Sequence, residues 1–290
     1  MRKFVVALVV LIIGVATGLI IYGLLRARHP PKTVLGWRAI VSTLAGTGAP
    51  GFRDAASPTQ AIFADPFGAA IAPDGTIYVS DAGDSNRIRK ITPDGRVETL
   101  AGNGKEAFAD GPGLQAAFNT PSGLAIDGAG NLYVADTGNN RIRRISTQGV
   151  VSTIAGDGTA GYADGPAGQA KFDGPIGVAV DKAGNILVAD SYNDRVRLIA
   201  PNGQVTTLAG SKGPGYADGV AATALFDTPC GLAVATDGSV IVADTGNRRL
   251  RRITPDGNVS TMQVVFADQA GATSYRASLV WRSHTMDFFT

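Results

Sequence analysis

The feature that most constrains this chain is an internal repeat with a period close to 54 residues. Val41-Ser-Thr-Leu-Ala-Gly46 returns as Val97-Glu-Thr-Leu-Ala-Gly102, Val151-Ser-Thr-Ile-Ala-Gly156 and Val205-Thr-Thr-Leu-Ala-Gly210, and fades at Val259-Ser-Thr-Met262. The closing glycines stand 56, 54 and 54 residues apart. A fixed period of this length marks a chain of like units, none of which can bury its apolar surface alone.

Each period holds further apolar or β-branched runs. Pro66-Phe-Gly-Ala-Ala-Ile71 is matched by Pro121-Ser-Gly-Leu-Ala-Ile126, Pro175-Ile-Gly-Val-Ala-Val180 and Pro229-Cys-Gly-Leu-Ala-Val234. Ile77-Tyr-Val-Ser-Asp81 is matched by Leu132-Tyr-Val-Ala-Asp136, Ile186-Leu-Val-Ala-Asp190 and Val240-Ile-Val-Ala-Asp244. A basic run follows each: Asn86-Arg-Ile-Arg-Lys-Ile91, Asn140-Arg-Ile-Arg-Arg-Ile145, Asp194-Arg-Val-Arg-Leu-Ile199 and Arg248-Arg-Leu-Arg-Arg-Ile253. Asp-Gly, Gly-Asn and Pro-Asp-Gly turns separate the runs, and these residues supply the positive φ of tight hairpins. Four strands in chain order make one antiparallel meander. Stacking such sheets radially buries both faces of each and leaves only short edges, so the expected fold is all-β, a β-propeller of four-stranded antiparallel blades.

The run from Pro121 to Arg143, Pro-Ser-Gly-Leu-Ala-Ile-Asp-Gly-Ala-Gly-Asn-Leu-Tyr-Val-Ala-Asp-Thr-Gly-Asn-Asn-Arg-Ile-Arg, resembles the NHL repeat. The long insert between units, Ala-Gly-x-Gly…Asp-Gly…Phe, is similar to that of bacterial secreted or membrane-tethered NHL proteins. The resemblance covers residues 40–262. It implies a propeller, often six-bladed, that serves as a platform for a ligand, peptide, protein or RNA, with a minority of enzymes among its relatives. Four repeats where six are common leave ring closure open. Val41–Leu44 is surplus to the four strand sets, since Val259-Ser-Thr-Met262 already completes the last one. Residues 263–290 lose the repeat but keep apolar runs at Val264–Ala267 and Ser278–Trp281. That divergent tail would pair with the surplus strand as a partial fifth blade, or the chain is a shortened member with exposed edges.

Residues 1–3 are a basic start, and 4–25 is a stretch of 22 uncharged residues from Phe4 to Leu25, bounded by Arg2-Lys3 and Arg26-Ala-Arg28. At about 1.5 Å per residue it is long enough to span a bilayer. Gly-Leu-Leu-Arg-Ala-Arg after it is a poor cleavage site, so an uncleaved single-pass anchor is expected, with residues 26–39 as linker. The basic residues after the helix would by themselves hold the C-terminal side in the cytoplasm. Large domains translocate despite such charges, and the expectation is an extracytoplasmic propeller.

The formal charge of +2 belongs to that anchor. Residues 1–39 carry six basic and no acidic side chains, which leaves 20 basic and 24 acidic for the rest. An acidic domain is a poor partner for phosphate backbones, so nucleic acid is not an expected ligand. The single cysteine, Cys230, sits in an apolar strand and reads as a small buried hydrophobe.

The strongest repeated polar signal is the aspartate that ends each second strand. Asp81, Asp136, Asp190 and Asp244 are followed five or six residues later by Arg87, Arg141, Arg195 and Arg249. A residue present in every repeat serves the architecture, so these are expected to form a structural Asp–Arg ladder in which each Asp also caps its loop. The remaining arginines of the third strands are expected on the outer part of each blade. Phe63, Phe118, Phe172 and Phe226 are expected to plug the gaps between blades. Alternating strand direction puts the inserted loops and the Asp-Thr-Gly-Asn loops on one rim. Candidate binding residues there are Phe108, Asn140, Tyr162, Tyr192, Asp194, Tyr216 and Arg248.

The competing class is a metal-dependent propeller enzyme of gluconolactonase or lyase type, which needs ligands on the axis and a base. The repeats contain no histidine, the only glutamates are Glu98 and Glu106, and the segments expected to line the axis are small and apolar. No catalytic residue, metal site or cofactor is therefore expected. The favoured reading is a membrane-anchored module that binds a protein, peptide or small molecule through one loop rim.

Overall fold

The computed structural model describes residues 42–263. The expected anchor at 4–25 and the apolar runs of the tail lie outside them. Among the described residues no helix is long and apolar enough to cross a membrane.

Four sheets follow one another along the chain. Blade 1 consists of β1 (Asp65–Ile71), β2 (Ile77–Ala82), β3 (Arg87–Ile91) and β4 (Val97–Ala101). A two-residue strand, β5 (Gly111–Pro112), precedes blade 2, which consists of β6 (Pro121–Ile126), β7 (Leu132–Asp136), β8 (Arg141–Ile145) and β9 (Val150–Ala155). After β10 (Gly165–Pro166), blade 3 is β11 (Pro175–Val180), β12 (Ile186–Asp190), β13 (Arg195–Ile199) and β14 (Gln204–Ala209). After β15 (Gly219–Val220), blade 4 is β16 (Pro229–Val234), β17 (Val240–Asp244), β18 (Arg249–Ile253) and β19 (Asn258–Thr261). Within a blade the strands pair in chain order and antiparallel, as the four-run pattern predicts.

The inserted loops do more than connect. Each crosses the outside of the blade that follows it, and β5, β10 and β15 pair there with β9, β14 and β19. In blade 1 the same role falls to a single bridge between Ala55 and Val97. The loop thus covers the outer edge, whose free N–H and C=O groups would otherwise invite further pairing. It then makes a short 3-10 turn, Gly113–Gln115 before blade 2, and reaches the phenylalanine that opens the next blade.

The core lies in slabs between blades. Phe118, Phe172 and Phe226 are fully buried, each packed against the strands of the blade before it. The expectation of a plug holds for these three, while Phe63 is only partly buried, since no blade precedes it among the described residues. The innermost strands β1, β6, β11 and β16 pack in that order. Their glycines allow it: a Cβ on Gly68, Gly123 or Gly177 would overlap the carbonyl oxygen of Ser122, Ile176 or Cys230 on the next blade. Cys230 is buried, as expected.

Among the described residues four blades make an arc, and nothing covers either end blade. Among the described residues no strand of blade 4 packs against blade 1 as neighbouring blades do. The face that blade 2 buries with Leu132 and Val134 has its counterpart in Ile77 and Val79 of blade 1, which are only partly buried, and Ile71 is 66% exposed. Ser42–Leu44 belongs to no sheet, so the surplus strand finds no partner among the described residues.

Candidate binding rim

Each blade is pinned by one arginine, and it is not the one next to the aspartate. Asp136 forms its ion pair with Arg143 at 2.5 Å, Asp190 with Arg197 at 2.6 Å, Asp244 with Arg251 at 2.7 Å and Asp81 with Arg89 at 3.0 Å. The ladder expected through Arg87, Arg141, Arg195 and Arg249 is corrected to the arginine two positions later. The register explains why spacing could not choose. Asp136 lies directly opposite Arg141, and Arg143 points to the same face of the sheet, so both reach the same side.

Acceptor supply decides between them. Arg143 donates from Nε and Nη2 to Asp110 of the inserted loop, from Nη2 to the Ala109 carbonyl, and from Nη1 to Asp136 and the Ala117 carbonyl. All five of its N–H groups are used, which is the condition for burying a guanidinium. Arg89, Arg143, Arg197 and Arg251 are fully buried, against the expectation that these arginines lie on the outer part of each blade. Burial pushes the carboxyls of Asp136, Asp190 and Asp244 upward, with the arginine and amide donors opposing it. The loop aspartates Asp54, Asp110, Asp164 and Asp218 complete the unit and also accept the N–H of Thr99, Thr153, Thr207 and Thr261. Read from sequence, they are exposed recognition candidates on the inserted loops and no part of the ladder. Their signal was present, an aspartate two residues after the loop aromatic in every repeat.

The displaced arginines form the rim. Arg87, Arg141, Arg195 and Arg249 lie over the rings of Phe52, Phe108, Tyr162 and Tyr216 at 3.8, 3.9, 4.1 and 4.3 Å. The buried arginine of each blade flanks the same ring at 4.7 to 5.0 Å. Phe108, Tyr162 and Tyr216 are 44–46% exposed, yet each ring lies between two cations and roofs the buried one. Tyr162 and Tyr216 further bond their hydroxyls to Thr207 and Thr261. These aromatics serve every blade alike.

Asn140 and Asp194 turn out to hold blades together. Each has positive φ, 51° and 54°, and each accepts an N–H from the start of the next blade, Gly174 at 2.9 Å and Thr228 at 2.9 Å. Asn86 does the same for Thr120 at 2.8 Å. Arg248 occupies the equivalent place in blade 4 with φ 55°, and it is exposed.

Tyr192 breaks the repeat. It stands where blades 2 and 4 have Gly138 and Gly246, and its side chain is 66% exposed. Its ring lies so close over Gly174 that a Cβ there would meet it at 2.5 Å. In the other junctions Thr120 and Thr228 hold the place of Gly174, so the ring and the glycine answer each other. Asp194 and Asp227 lie near each other at the following junction, between blades 3 and 4. Burial raises the Asp194 carboxyl above its ordinary value, the Thr228 N–H and Arg195 oppose this, and the charge of Asp227 adds to it.

The opposite face carries an open cleft of about 490 Å³ between the hairpins of blades 2 and 3, lined by Ile126, Asp127, Val180, Asp181 and Lys182. Its carboxylates are engaged. Burial would raise Asp127, but donors on Asn131, Tyr133 and Ala129 hold it below its ordinary value. Among the described residues no three His, Cys, Asp or Glu side chains converge as metal ligands.

Comparison with known proteins places these observations. The family model described as "NHL repeat" matches residues 118–145 and 172–197. The chain is 29% identical over 228 residues to the Arabidopsis thaliana protein "SUPPRESSOR OF QUENCHING 1, chloroplastic", covering 73% of this chain and 22% of that one. It is 34% identical over 155 residues to human "NHL repeat-containing protein 2", covering 47% of this chain and 21% of the relative. The chain thus spans about a fifth of the length of these relatives. A solved auxiliary nutrient binding protein from Bacteroides thetaiotaomicron shares the fold with a TM-score of 0.53 at 19% identity, over 68% of this chain and 48% of that one.

Proposed function

We propose, from the premise that this chain is an NHL-repeat β-propeller protein, that it is a binding module whose recognition surface is the loop rim at the junction of blades 2 and 3. The observation that carries this is Tyr192. The other rim aromatics repeat in every blade and roof a buried arginine, whereas Tyr192 appears once and presents two thirds of its surface. An exposed ring over Gly174 suits a protein or peptide that offers a cationic side chain. Phosphate backbones are disfavoured here, because two arginines of each third strand are buried or stacked on a ring. In this reading residues 4–25 anchor the module to a membrane with the propeller on the extracytoplasmic side.

The purified chain is expected to retain lysine- or arginine-rich peptides on an array of basic and acidic sequences. Tyr192→Ala should weaken that retention on the order of tenfold while leaving the melting temperature unchanged. Retention unaffected by Tyr192→Ala would remove the rim from the reading. Turnover of a lactone substrate by the same preparation would move it to a propeller enzyme. For the anchor, the full chain should stay with membranes through alkaline carbonate washing, and the propeller should be open to protease added outside intact cells. Release into the wash would sink that part.

A further inference from the structure

The three internal junctions are built alike, and both ends of the arc carry half of such a junction. On the inner strands, Gly68, Gly123 and Gly177 make room for a carbonyl of the next blade, and Gly231 in blade 4 keeps the glycine with only the Ala243 side chain near it. Thr137 and Ser191 donate to the carbonyls of Pro175 and Pro229 on the following blade. Thr245 keeps the hydroxyl and turns it to Ala243 of its own strand. At the other end, Gly102, Gly156 and Gly210 tuck beneath the carbonyls of Asn86, Asn140 and Asp194 of the same blade, at 2.6, 2.5 and 2.8 Å for a notional Cβ. Gly46 keeps the backbone conformation, φ 105°, and meets only the Phe63 ring. The fourth strands tell the same story. Ile88, Ile142 and Val196 pair with Ala101, Ala155 and Ala209, but the pairing of β18 with β19 ends at Arg251 and Thr261. The missing Leu-Ala-Gly end is present at the start of the described chain, as Leu44-Ala45-Gly46, with Ala45 already packed on blade 1.

One contact in the junction changes in kind, and it changes on both sides. Asn86, Asn140 and Asp194 accept the N–H of Thr120, Gly174 and Thr228. The blade 4 residue at this place is Arg248, which has no acceptor. The blade 1 residue that would receive it is Asp65, whose N–H has gone instead to Asp81. Arginine and aspartate are a matched pair where a bond from a backbone N–H to a side-chain oxygen stood, and the exchange occurs only at the two ends of the described arc. We propose that the blade 4 end of one copy docks on the blade 1 end of a second copy, with Arg248 paired to Asp65 across the junction and Ile71, Ile77 and Val79 covered by the arriving blade. The contact is head to tail, and two four-bladed arcs add to eight blades, within the range of propeller rings. Ser42–Leu44, exposed and in no sheet, swings aside to admit β19 of the arriving copy.

The test is sedimentation of the full chain, purified in mild detergent, across a concentration series up to tens of micromolar. The expected mass is that of two or more copies at the upper end. Arg248→Glu and Asp65→Arg should each weaken association at least about tenfold, since like charges then face each other. Both substitutions in one chain should restore it. Thermal unfolding of the variants at low concentration should match the parent, because neither side chain supports its own blade. A chain that stays monomeric throughout overturns the proposal. So does association that the single substitutions leave unchanged, whether through residues 4–25, the 264–290 tail or another face, and so does a double variant that fails to recover.

Discussion

Replacing Arg143 by methionine is expected to destabilise the propeller by about 3–5 kcal/mol, the range for removing one partner of a buried ion pair. The substitution keeps much of the side-chain volume but strands Asp136, which is fully buried, and leaves the Ala109 and Ala117 carbonyls without their donor. Arg197→Met and Arg251→Met should behave alike, because Asp190 with Asp164 and Asp244 with Asp218 repeat the arrangement. Lysine should recover little, since one ammonium cannot reach acceptors spread around a planar fork. Arg141→Met removes a stacking contact on Phe108 and hydrogen bonds to the Asn139 and Asp157 carbonyls at the rim, and should cost less, about 1–2 kcal/mol. Urea denaturation of the four variants separates the two classes of arginine. Equal losses at Arg141 and Arg143 would return the ladder to the nearer arginine.

The second large effect concerns the axis. Gly123→Ala should cost about 3 kcal/mol, at the upper end for an overpacked core, because its Cβ would overlap the Ile176 carbonyl oxygen and crowd the Gly177 Cα at 3.0 Å. Both obstacles are backbone, so neither yields by a change of rotamer. Gly231→Ala, at a concentration where the chain is monomeric, meets only the Ala243 Cβ at 3.3 Å. A strand glycine otherwise favours alanine by roughly 0.5–1 kcal/mol, so that variant should fall near neutral. Matched melting curves of the two check the asymmetry, and an equal cost at Gly231 would mean that blade 4 already meets an inner strand. Either outcome bears on how the arc ends.

Much of this was open to a reader of the sequence. The period, the four runs in each repeat and the turn residues between them determined a propeller of antiparallel blades, because strand alternation and the need to bury two faces leave few other solutions. The plugging role of Phe118, Phe172 and Phe226 followed from the same logic. The four-fold recurrence of Asp81, Asp136, Asp190 and Asp244 marked them as architectural for a related reason, since what every blade contains serves the blade.

Which arginine each aspartate would hold was a different kind of question. Two arginines in each third strand share a face, and what buries one of them is a carboxylate more than thirty residues away, carried in by a loop that wraps the next blade. Cross-blade distances of this kind are absent from a linear pattern. The same holds for Asn140 and Asp194, which look like rim decoration until the next blade's N–H groups are placed against them. Tyr192 was visible as a departure from the repeat, but its exposure over Gly174 depends on how two loops stack. Tertiary structure alone decided that, among the described residues, the arc carries Arg248 at one end and Asp65 at the other, because a junction's two halves lie in different repeats and only their packing shows that they belong together.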